Sequence, residues 1–115
     1  MNTRTDAHRP MRDLLKRLPQ LPMTGRQEID FPAADVSLLV AIGDDAQTTI
    51  QAIHHGIASI GLLLAHSAPV IEDGTVGADD VESIGYMLSE LCTLAASLIT
   101  LSAQCRRQTF DFAPE

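Results

Sequence analysis

Tryptophan is absent from this 115-residue chain, and its only aromatic side chains are Phe31, Tyr86, Phe110 and Phe112. A chain so poor in rings offers no platform for stacking on bases or sugars, and its core must be aliphatic. Cysteine is scarce too. Cys92 and Cys105 fall in one helical stretch about 20 Å apart at 1.5 Å per residue, too far for a disulfide within the chain. Free thiols, and an opening without the basic, apolar and small-residue order of a secretory signal, point to a reducing, cytoplasmic setting.

The third scarcity is of charge. Residues 46–71 contain no Asp, Glu, Lys or Arg, although charged residues make up 20% of the chain. A soluble protein can leave such a run uncharged only if most of its circumference is covered. Thr48, Thr49, Gln51, His54 and His55 interrupt it, so it reads as a covered helix and not as a membrane span. Residues 91–105 form a second uncharged run that supplies part of the cover.

What charge there is falls unevenly. Residues 1–26 hold six basic against two acidic residues, whereas the other 89 hold two basic against thirteen acidic. A basic arm therefore precedes an acidic body. We place the boundary at 27, with a flexible arm over 1–27 and a helical interaction domain over 28–115. Pro10, Pro19 and Pro22 leave the arm room for about two helical turns, in which Met11, Leu14, Leu15 and Leu18 share a face as candidate partner-binding residues. Residues 36–42 are β-branched enough that we read them as extended, although the segment could equally run from Pro32 as a helix ending at Gly43; the alternation in residues 28–31 recurs in 109–112, so these ends could pair as a ribbon.

Two helices are predicted, at about 45–68 and 79–106. The first takes Asp44 or Asp45 as its cap, with Gln47 in position to reach back, and carries Ala46, Ile50, Ile53, Ile57, Ile60 and Leu64 at alternating spacings of four and three. The second is capped by Asp79 with Glu82, and its seam runs through Ile84, Leu88, Leu91, Ala95, Leu98, Ser102 and Cys105. Met87, Leu94 and Leu101 widen that stripe. The short Gly-containing connector makes the helices antiparallel neighbours. Each helix of an isolated hairpin leaves one side in water, so the fold class is mainly α: a hairpin, with a short extended N-terminal segment, that pairs with a second copy into a four-helix bundle. Ala52, Gly56 and Ser59 flank the first seam and would permit close approach.

Residues with chemistry are present but poorly arranged for it. Glu72, Asp73, Asp79, Asp80 and Glu82 crowd the connector, yet their spacing does not match a calcium loop, and helix-end electrostatics accounts for most of them. His54 and His55 point about 100° apart on a helix, and His66 is about 16 Å beyond His55. Cys92 and Cys105 sit among Leu91, Leu94 and Leu101 and are expected to pack as small hydrophobes; of the two, Cys105 is the better placed to react, because Arg106 and Arg107 follow it. No phosphate loop or nucleophile elbow occurs. The sequence therefore predicts no catalytic residue, no metal and no cofactor. It predicts a small homodimeric interaction protein, an adaptor, inhibitor or regulatory accessory factor, that binds another protein by helix-in-groove contact, Tyr86 included. Nucleic acid is disfavoured as a partner, and no membrane is expected. Two alternatives are a chaperone for an exported or aggregation-prone protein and an acidic nucleic-acid mimic.

Overall fold

A computed structural model describes residues 9–111. Among them are four α-helices: α1 (Pro10–Arg17), α2 (Val36–His66), α3 (Ala68–Glu72) and α4 (Ala78–Thr109). The long helices α2 and α4 pack against each other as an antiparallel hairpin, and α1 lies across α2 near the open end. We call that end the base and the α3 end the tip.

α1 begins with proline, whose fixed backbone angle suits the first helical position. Asp13 sits in its first turn and Lys16 and Arg17 in its last, matching the helix dipole at both ends. One 3-10 turn, Leu18–Gln20, leads into an irregular segment in which Met23 and Ile29 form an isolated bridge. Thr24 organises this bend by accepting from the amides of Arg26 and Glu28. Gln27 takes the left-handed conformation there, with φ 64°.

The helix α2 starts nine residues earlier than the sequence reading places it. Asp35, not Asp44 or Asp45, is its cap, and accepts from the amide of Ser37 at 3.3 Å. Residues 36–42 are consequently helical and not extended. Their β-branched residues yield because Leu39 and Ile42 continue the same buried stripe as Ala46, Ile50 and Ile53, and burial outweighs a propensity of a few tenths of a kcal/mol. The proposed ribbon is also absent: residue 29 pairs with residue 23, and Thr109 is still helical. Phe112 lies outside the described residues.

At the tip, Gly74 has φ +84°, a conformation that only glycine adopts without strain. Asp73 accepts from the Thr75 amide at 2.8 Å and closes the turn. Hydrogen bonds from Thr75 hold the Asp73 carboxyl below its ordinary pKa. α4 then opens on Gly77, with Asp79 and Asp80 in its first turn; Asp79 is not the cap.

The core lies entirely toward the base. Leu14 from α1 and Leu21 join Leu39, Ile42, Ala46, Ile50, Ile53, Ala95, Leu98 and Cys105 in one cluster. Residues 10–21, assigned by the sequence to a flexible arm, are thus packed against the hairpin. Toward the tip the seam thins. Ile57 and Leu91 border the core, and Ile60, Leu64, Ile84 and Leu88 are only half-buried. The reason is geometric: two helices alone cannot enclose a side chain, and the five-residue α3 closes only the end of that half.

Candidate interaction surface

α1 divides the hairpin into unlike faces. On the face it crosses, Leu14 is buried at 5% exposure and Leu18 packs against the core, while Met11 and Leu15 remain outside, Leu15 at 70%. The four residues that the sequence grouped as a partner stripe therefore split into an inner pair, which docks α1, and an outer pair. Together with Leu94, Leu98 and Thr49 they line an apolar groove of about 270 Å³.

Beyond the end of α1 this face continues uncovered to the tip. Ile60, Leu63, Leu64, Ile84 and Met87 line a second apolar depression of about 280 Å³, with Leu63 66% exposed. Leu94 and Met87 are about half exposed between the two depressions. A continuous apolar strip thus runs from α1 to the tip.

One polar contact that the sequence did not bring out fastens α1. Arg17 donates to the carboxylate of Asp45, whose side chain is buried to 4% exposure. Burying a carboxylate is costly unless a cation and hydrogen bonds meet it. The available signal was positional: once α2 is extended back to Asp35, Asp45 falls between Ile42 and Thr49 on the buried side of the helix.

The opposite face is different in kind. Gln47, Gln51 and His54 from α2 and Ser102 and Arg106 from α4 border a cleft of about 360 Å³, floored by Ile50 and Ile99. Arg106 donates to the Gln47 side chain at 3.2 Å. Gln47, read as a capping partner, serves here as a link between the two helices. Ser102 is 3% exposed and its hydroxyl has no partner among the described residues.

The remaining candidates are dispersed. His55 and His66 are exposed, and among the described residues no group of three His, Cys, Asp or Glu side chains is placed to share a metal ion. Gly56, with the exposed Ala52 and Ser59, faces no neighbouring element, and a Cβ on Gly56 would meet nothing within 4 Å. The thiols reverse their expected order. Cys92 is exposed, whereas Cys105 is buried against Gly43, and that burial pushes its thiol up from the ordinary value. In native protein a maleimide should leave Cys105 unmodified until the chain unfolds; labelling of Cys105 at the rate of a free thiol would contradict this packing.

By length and composition both α2 and α4 would suffice to cross a bilayer. Comparison of the chain with protein-family models, with curated proteins and with solved structures finds no match.

Proposed function

We propose that this chain is a small cytoplasmic, homodimeric helical module that acts without cofactor or catalysis by binding another protein, as an adaptor, inhibitor or regulatory accessory factor. One observation carries the reading: α1 covers only the base half of an apolar face, and the strip from Leu15 through Leu94 and Met87 to Leu63 stays in water. Exposed apolar strips of this kind characterise binding surfaces, and an amphipathic helix laid along the strip would continue the cover that α1 begins. Tyr86 and Ile99 are exposed as well, on other parts of α4.

The polar and charged groups on both long helices, Asp44, Gln47, Gln51, His54 and Glu90 among them, favour an aqueous module over a bilayer hairpin. Expressed without detergent, the chain should stay in the high-speed supernatant. Recovery only in a membrane fraction would sink the soluble reading.

The surface is tested with paired substitutions, Leu15→Asp and Met87→Asp, chosen because both positions are exposed and outside the core. Wild-type chain immobilised in a cell extract should retain a protein that the double variant, equally helical by circular dichroism, loses. Equal retention by both would remove this strip as the binding surface. Removing residues 1–26 would be a poorer test, since that deletion also takes Leu14 and Leu21 from the core.

A further inference from the structure

Along the face opposite α1, the exposed side of α4 carries Gly85, Ser89, Cys92, Ala96, Ile99 and Ala103, recurring at spacings of four and three. The corresponding side of α2 carries Gln51, His54, Ala58 and Gly61 in the same rhythm. The spacings of both rows, though not their residues, are the same in either direction, as they are about any step of such an alternation. On α4, inversion about the point midway between Cys92 and Ala96 exchanges Ser89 with Ile99 and Gly85 with Ala103. On α2, inversion about the point midway between His54 and Ala58 exchanges Gln51 with Gly61.

These two centres, among the several that each row offers, lie level. Gly43 stands against Cys105, and Gln47 against Arg106, so Gly56 and Leu94 lie at about the same height along the hairpin. A single two-fold axis perpendicular to the helices therefore satisfies both rows. The charges at the ends obey the same symmetry: inversion of α4 exchanges Glu82, near the tip, with Arg106, near the base, and both are exposed.

We infer that a second copy of this chain occupies this face, antiparallel, with α4 on α4 and α2 on α2, tip against base, and with Glu82 of each copy meeting Arg106 of the other. The inference rests on the two-copy reading above and adds the face and the register. Three further observations point to the same occupant. A Cβ on Gly61 or Gly85 would meet nothing within 4 Å inside the chain, so the smallness of these positions serves no packing within one copy. Small residues in a row let helix axes approach to the short end of the usual 8–10 Å. The cleft on this face is bordered by Ser102, a buried hydroxyl with no partner among the described residues, and by Arg106, which donates to the neutral side chain of Gln47. An acidic side chain from the tip of a second copy would complement Arg106, which forms no ion pair among the described residues. This pairing leaves the apolar strip on the α1 face free for the partner protein.

The test uses the full chain with Glu82→Cys and Arg106→Cys together, in a Cys92→Ser background. Within one copy these positions are about 36 Å apart along α4, beyond any short bismaleimide, so a link between them can form only between copies. The expected result is a covalent dimer whose digest contains a peptide joining 82 to 106. In the unaltered chain, alkylation of Cys92 should slow on the order of tenfold or more when the protein is concentrated from single chains into dimers, because the axis passes beside it. A chain that light scattering finds single at every concentration would overturn the two-copy reading and this arrangement with it. A dimer that links 82 to 82, or gives no link and leaves Cys92 fully reactive, would overturn the face and register alone.

Discussion

Ile42→Ala is expected to lower the unfolding free energy by about 2 to 5 kcal/mol, whereas Leu62→Ala, on the same helix, should change it by less than about 0.5. The chemistry of the two truncations is similar. Their surroundings are not: Ile42 is 0% exposed within the core cluster and Leu62 is 62% exposed. Removing buried methyl groups forfeits their transfer free energy and leaves a cavity that close-packed neighbours fill only in part. Small domains are stable by only about 5 to 15 kcal/mol, so the Ile42 variant should show a clearly lower urea midpoint. Measured in dilute solution, equal losses for the two variants would mean that the base core is not where stability resides.

Arg17→Met should cost about 2 to 4 kcal/mol, which is less than a fully enclosed ion pair would lose because Arg17 itself is partly exposed. The penalty arises from Asp45, left as a buried carboxylate without its cation. The structure also limits that penalty. α1 is joined to α2 by an irregular segment, so it can lift away and let water reach Asp45. The loss should therefore appear first as amide exchange in residues 10–21, while protection near Ile42 and Leu98 persists. Adding Asp45→Leu should recover much of the loss, since an apolar side chain there needs no partner. If Arg17→Met left both the urea midpoint and exchange in residues 10–21 unchanged, the fastening of α1 would have to come from Leu14 and Leu21 alone.

The sequence made the hairpin legible because its information is periodic. Ile50, Ile53, Ile57, Ile60 and Leu64 alternate by three and four, and so do the seam positions of α4; both helices and their antiparallel pairing follow. The start of α2 was not legible in the same way. Asp44 and Asp45 stand just before the long uncharged run and have the chemistry of a cap, and only burial distinguishes Asp45, an internal residue needing a cation, from a residue that ends a helix. The docked part of the N-terminal segment was obscured for a related reason. Proline-rich spacing reads as an arm, and nothing in residues 10–21 alone announces that Leu14 and Leu21 find cover on helices further along the chain.

The candidate surfaces were legible by halves. Met11 and Leu15 emerged from the amphipathic pattern of α1, but that pattern could not tell them from Leu14, which faces inward. The exposed rows of α2 and α4 are visible as letters, yet whether one axis can serve both depends on which residues of the two helices lie level. The contacts of Gly43 with Cys105 and of Gln47 with Arg106 provide that register.

The central claim is that one chain leaves helical faces that a second copy covers. Sedimentation equilibrium of the full chain, run from low to high micromolar concentration, tests it most directly. A species of twice the 12.4 kDa chain mass that dissociates on dilution is expected; a single 12.4 kDa species across the whole range would rule out pairing.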